Sequence, residues 1–148
     1  MILKGVKKVN KKTYMLLLIV FTITITLSSV NAGLFDLDST NDDINVTDLE
    51  INYEGYSTYE VNCKLTPKKD FDYLEMFVIF YDSDDAVLDK STLVWNTNQP
   101  TKDQVIKVSG TAYVQNDNEK PVRAEVYFTD GLDAEPESAI YSENVTMG

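Results

Sequence analysis

The chain contains no histidine. That removes the commonest general base and the imidazole ligands of zinc and copper sites. A Ser-His-Asp triad and Cys-His catalysis are both excluded. A single cysteine, Cys63, stands among 148 residues, so no internal disulfide can form. It also lies too far from the N-terminus for a lipoprotein anchor. No Gly-rich phosphate loop, G-x-S-x-G or Cys-x-x-Cys occurs. Basic residues are scarce beyond residue 32: five of the thirteen precede it, leaving eight against 24 acids and a net charge of −16. A body so acidic repels phosphate backbones, which excludes nucleic acid as a partner. It disfavours anionic lipid surfaces for the same reason.

What the first 32 residues do have is Lys4, Lys7, Lys8, Lys11 and Lys12 without any acid, followed by an apolar run from Thr13 to Val30. The run centres on Met15 to Phe21 and ends at Val30-Asn31-Ala32, small residues that suit a signal peptidase. A basic start, an apolar stretch and such a site form an export signal. About 18 apolar residues also span a bilayer, so the segment serves either as a cleaved signal peptide or as a retained N-terminal helix in the membrane. In both cases the lysines stay inside and the acidic body is extracytoplasmic, secreted or anchored to the cell membrane. Residues 33–43, with Leu34, Phe35 and Leu37 as their apolar members, read as a linker to a domain over 44–148.

Within that domain, apolar and polar residues alternate with period 2, and β-branched and aromatic residues are frequent. The pattern predicts seven strands, near 46–53, 58–66, 73–82, 86–95, 103–115, 121–129 and 139–146. In the second, Tyr59, Val61, Cys63 and Leu65 face inward, which makes Cys63 a core thiol. In the third, Leu74, Met76, Val78 and Phe80 face the core. In the sixth, Val122, Ala124, Val126 and Phe128 do so. Gly110 predicts a bend or bulge in the fifth. Turn residues separate the strands: Thr66-Pro67, Ser83-Asp84-Asp85, Asn96 to Pro100, Asn116 to Pro121 and Asp130-Gly131. No amphipathic helix of useful length follows residue 32. Seven short strands in about a hundred residues suggest an all-β fold, an immunoglobulin-like antiparallel sandwich.

The stretch Val78-Ile79-Phe80-Tyr81-Asp82, with the turn Ser83-Asp84-Asp85-Ala86 and Val87-Leu88, resembles the FxLYD domain family, small extracytoplasmic β-sandwich modules. Tyr81 and Asp82 match that motif, and Val78 and Phe80 keep its apolar character. Asp85 stands where the family carries glycine, and the family's Pro-Gly-Glu turn is absent near Gln99-Pro100. The resemblance covers roughly residues 58 to 128. It implies a fold and a location but no reaction.

Several residues invite chemistry. Asp82, Asp84, Asp85 and Asp89 crowd one turn, and calcium takes six to eight oxygen ligands from such loops. The spacing is not that of an EF-hand, and aspartates also favour turns by bonding nearby backbone N–H groups. Trp95 beside Asn96, Asn98 and Gln99 offers a sugar a stacking surface with amides. Asn45-Val46-Thr47 and Asn144-Val145-Thr146 are glycosylation sequons. On the outer side of the third strand, Tyr73, Phe77, Ile79 and Tyr81 are interrupted only by Glu75. A half-buried strand alternates with polar residues, so this face needs a cover. The cover is either intramolecular, from Leu34, Phe35 and Leu37 or from the segment 132–140, or it is a protein partner.

The sequence thus points to a non-catalytic extracytoplasmic domain of the cell surface or envelope that acts as a protein-interaction module. No cofactor is required. A ligand-binding module for glycan or calcium is the alternative.

Overall fold

A computed structural model of the chain describes residues 43–115, 119–132 and 135–148. The predicted N-terminal hydrophobic helix, the linker up to residue 42 and the apolar trio Leu34, Phe35 and Leu37 lie outside the described residues. Among the described residues no helix is long and apolar enough to cross a membrane.

Seven strands follow the alternating segments: β1 Ile44–Gly55, β2 Thr58–Pro67, β3 Tyr73–Tyr81, β4 Val87–Asn98, β5 Ile106–Tyr113, β6 Arg123–Thr129 and β7 Ala139–Thr146. One 3-10 turn, Pro136–Ser138, precedes β7. The strands form two sheets, in the orders β1-β2-β5 and β4-β3-β6-β7, with every pairing antiparallel. Asp43, at the end of the predicted linker, already belongs to the domain: its carbonyl accepts from Lys68 N–H at 2.8 Å and its carboxylate pairs with Lys69 at 2.6 Å.

The two inner faces make the core. Tyr59, Val61, Cys63 and Leu65 of β2 meet Leu74, Met76, Val78 and Phe80 of β3 and Ala124, Val126 and Phe128 of β6, and all are buried. Each large apolar side chain so buried contributes about 1.5–3 kcal/mol. Val122, predicted inward, sits before β6 begins and is 42% exposed, because the strand starts one residue later. On the outer face of the first sheet β2 is polar, with Glu60, Asn62 and Lys64, as a sheet wetted on one side requires.

The sandwich is closed tightly along β4 and β5. A register shift in β4 places Thr92, Leu93 and Val94 opposite Phe77 alone, with Leu93 in the left-handed region at φ 51°. The irregularity turns Leu93 outward and Val94 into the core, bending β4 toward the other sheet. Tyr113 N–H then donates to Ser91 Oγ at 3.1 Å and Gln115 N–H to Asp89 at 2.6 Å. Gly110 does not bulge β5, since the β2–β5 register runs unbroken through it. Its role is close approach: a Cβ there would lie 2.2 Å from the Val94 carbonyl oxygen. The opposite seam, between β1 and β7, is the more open one.

Candidate binding surfaces

The outer face of β3 is covered within the chain. Phe77 is fully buried and Ile79 is 7% exposed, while Tyr73 and Tyr81 are half-buried. Phe77 stacks on Tyr127 of β6 with ring centroids 4.8 Å apart and planes 6° from parallel. Lys90 of β4 sets its ammonium 5.3 Å from the Phe77 centroid and pairs with Glu135 at 2.9 Å. Ala139 packs against the same cluster. Of the segment 132–140, Ala139 packs on this cluster and Glu135 holds Lys90, whereas Leu132 is 82% exposed, so the covering comes mainly from Lys90 and Tyr127 of the neighbouring strands. Tyr73, Phe77, Ile79 and Tyr81 do not form an open interaction face. An aromatic stack under an alkyl-ammonium stem satisfies the apolar side of β3 without a partner.

The rest of that face is a hydrogen-bonded network centred on Glu125. Its carboxylate accepts from the Tyr81 hydroxyl at 2.5 Å, from the Tyr127 hydroxyl and from Arg123 Nη1 at 2.6 Å. Arg123 also reaches Asp85 and donates to Asn144 Oδ1 at 2.8 Å. Burial pulls the Glu125 carboxyl upward, but bonds from Tyr127, Tyr81 and Arg123, with the nearby guanidinium charge, hold it below the ordinary carboxylate value. Burial and the bond to Glu125 push the Tyr81 phenol up to about 12. One β3 residue further along the face, Glu75, is buried and accepts from the Tyr73 hydroxyl at 2.6 Å. In the sequence Glu75 reads only as an interruption of an apolar face, and nothing there singles out Glu125. The available signal is a carboxylate two residues from a tyrosine on one strand face, found at Tyr73/Glu75, Glu125/Tyr127 and Tyr141/Glu143.

Three of the four aspartates of the β3–β4 region have separate partners. Asp82 Oδ1 accepts from the backbone N–H groups of Asp84 and Ala86, each at 2.8 Å. Asp85, left-handed at φ 64°, pairs with Arg123. Asp89 accepts from Lys90 and Gln115 N–H groups. Among the described residues no three His, Cys, Asp or Glu side chains gather where they would hold a metal ion. The structure thus does not bring Asp82, Asp84, Asp85 and Asp89 together as a calcium site. The oxygens of Asp82, Asp85 and Asp89 bond instead to backbone N–H groups of the turn, of Lys90 and of Gln115, and to Arg123.

Trp95 is half-buried and packs edge-on against Phe128 of the core, centroids 6.2 Å apart, so it is a core plug and not an exposed sugar platform. Cys63 is buried, and desolvation with the nearby Glu143 charge raises its thiol to about 12, which leaves it a protonated core residue. Asn45 and Asn144 are both exposed, on β1 and β7, with Asn144 Oδ1 occupied by Arg123.

Exposed aromatics gather elsewhere, at the end of the first sheet that carries the β1–β2 hairpin. Tyr53 is 59% exposed, Tyr56 fully so and Tyr113 57%. Tyr56 and Ser57 form the hairpin tip with φ of 50° and 57°, between Gly55 at φ 95° and Thr58. Two consecutive non-glycine residues with positive φ are strained, and a bulky aromatic is among the least suited residues for that region. Thr58 Oγ1 holds the turn by donating to the Tyr56 carbonyl at 3.2 Å. Tyr113 stands opposite Thr58 on the outer face. At the same end a cleft of about 200 Å3 opens toward the seam, lined among others by Tyr53, Tyr59 and Lys120.

No protein-family model and no curated protein matches the chain. Two solved structures of β-glucosidase 3B from Thermotoga neapolitana, one in complex with α-D-glucose and one with glucose, resemble it over 71% of its length at 11% identity, with TM-scores of 0.42 and 0.43. The chain spans 16% of the length of either.

Proposed function

We propose that this is a non-catalytic, extracytoplasmic protein-interaction module of the cell surface or envelope, secreted or tethered by its N-terminal segment, and that it docks through its tyrosine-bearing end. The observation that carries the docking end is Tyr56, fully exposed at a strained hairpin tip and accompanied by Tyr113 on the outer face of the sheet. Tyrosine supplies large contact area at little rotamer cost and is enriched in the cores of interfaces. The partner is a protein with a basic surface, because a body of net charge −16 steers toward positive potential. The lack of histidine supports a non-catalytic reading. The three-plus-four division of strands, with β2–β3, β4–β5 and β5–β6 each passing from one sheet to the other, supports an immunoglobulin-like sandwich. The resemblance of residues 78–88 to FxLYD modules supports the location, and the left-handed Asp85 occupies the position where that family carries glycine.

Two measurements test this on intact cells. Added protease should cut a C-terminal tag on the full chain; a tag protected until lysis overturns the location. Surface cross-linking should recover a basic partner with the native chain. That recovery should fall sharply in Tyr56→Ser with Tyr113→Ser, and should persist in Leu132→Ser, which removes another exposed apolar side chain, one 82% accessible. Recovery unchanged by the tyrosine substitutions overturns the docking end.

A further inference from the structure

Independently of that docking surface, we infer that the cleft between the β1 and β7 edges is a binding site for one ring of a neutral saccharide. Its buried floor is made by Tyr59 and Val114, with Ile51 and Met147 half-buried beside them. Tyr53 forms one wall; its ring is 5.2 Å from that of Tyr59 and tilted 48° to it, and it stays 59% exposed. Tyr59 is held neutral, its phenol raised by burial and by Tyr53 beside it. The mouth carries Ser57, Glu119 and Lys120. Hydroxyl, carboxylate and ammonium groups at one rim supply hydrogen-bond donors and acceptors together.

Each feature narrows the ligand. An aromatic wall above an apolar floor asks for a face of C–H bonds. A rim of mixed donors and acceptors asks for hydroxyl groups, which both give and take protons. The size, about 200 Å3, is below the range of about 300–1,000 Å3 typical of drug-sized ligand pockets, so the cleft admits a ring and not a chain. The net charge of −16 over residues 33–148 repels uronates, sialates and phosphates. A neutral pyranose has an apolar C–H face, an equatorial belt of hydroxyls and no charge. The seam leaves the cleft open to solvent, so a longer glycan can run out past Tyr53 with one ring seated.

The test uses the full chain in a zwitterionic detergent, since alkyl glycoside detergents would compete. Saturation-transfer NMR is recorded with the methyl glycosides of glucose, galactose and mannose. At least one should receive saturation at its ring C–H protons with millimolar affinity. Tyr53→Ala should weaken that binding about tenfold, and Lys120→Met several-fold, with the melting temperature of each variant near that of the native chain. Tyr56→Ser should leave sugar binding intact while it weakens partner recovery, which separates this site from the docking surface. The inference is overturned if no neutral glycoside receives saturation, if transfer survives Tyr53→Ala undiminished, or if glucuronate binds more tightly than glucose.

Discussion

The guanidinium of Arg123 lies over the ring of Tyr81, its central carbon 3.7 Å from the ring centroid. From there it forks to Glu125, Asp85 and Asn144, joining β6 to the β3–β4 turn and to β7. A planar fork does this where an ammonium does not. Arg123→Lys should therefore cost about 1–2 kcal/mol, through loss of stacking and of all but one bond. The pair with Asp85, whose side chain is 76% exposed, contributes little of that. Urea unfolding at fixed salt measures the loss.

Acid stability should report on Glu125. Its folded pKa lies below the ordinary 4.5, so its contribution is present above that value and is lost as pH falls through the folded one. The difference in melting temperature between the native chain and Glu125→Gln should be largest near neutrality and shrink as pH drops below about 4.5. A difference constant down to strong acid would show that the carboxylate charge is irrelevant there.

The alkaline limb has the opposite sign. The Tyr81 phenol is raised from 10.0 to about 12 in the folded chain, so its contribution is complete below pH 10 and lost as pH climbs toward 12. Phenolate absorbance should show a late step near pH 12, shared by Tyr81 and by Tyr73, which burial and Glu75 hold up in the same way. In Glu125→Gln the Tyr81 part of that step should move down, because the hydrogen bond and the charge of Glu125 both favour the protonated phenol, while the Tyr73 part stays.

Much of the fold was legible because period 2 is a strong signal when one face is wet and the other dry. In β2 the inward residues Tyr59, Val61, Cys63 and Leu65 are all buried, and the seven strands fall within a few residues of their predicted ranges. The signal fails where both faces are covered. In β3 apolar content alone says that the outer face has a cover but not what it is, and the cover consists of Lys90, Tyr127 and Ala139 from three other strands. Networks fail for the same reason: Glu125 and Tyr81 are 44 residues apart and meet only through strand pairing. The aspartate cluster misleads differently, because turn formation and metal binding favour the same residues. The exposed tyrosine end is invisible since its turn uses Tyr56 and Ser57 where turn chemistry leads one to expect Asn and Gly.

Gly110→Ala should be severe although it adds one methyl group. The new Cβ would lie 2.2 Å from the Val94 carbonyl oxygen, a backbone atom that cannot swing away. Either β5 or β4 must shift, at a cost of about 3 kcal/mol. The shift would also loosen the bonds of Ser91 and Asp89 to β5. Hydrogen exchange should show lost protection at Tyr113 and Gln115, the two amides that donate across this seam.

Phe77→Glu separates a covered sheet face from a docking face. If the outer side of β3 served a partner, a carboxylate there would block association and leave the domain folded. Phe77 is fully buried between Tyr127 and the stem of Lys90, so the substitution instead places a charge in a dry site and removes an aromatic stack. Phenylalanine truncation in a core costs about 3–5 kcal/mol, and an unpaired buried charge adds to it. Lys90 offers a rescuing partner, but it already holds Glu135. The variant should therefore lose most of a marginal stability and melt below physiological temperature, with Phe77→Leu intermediate. A folded Phe77→Glu domain with native melting behaviour would mean that the face opens in solution, and would return Tyr73, Phe77, Ile79 and Tyr81 to the set of candidate interaction residues.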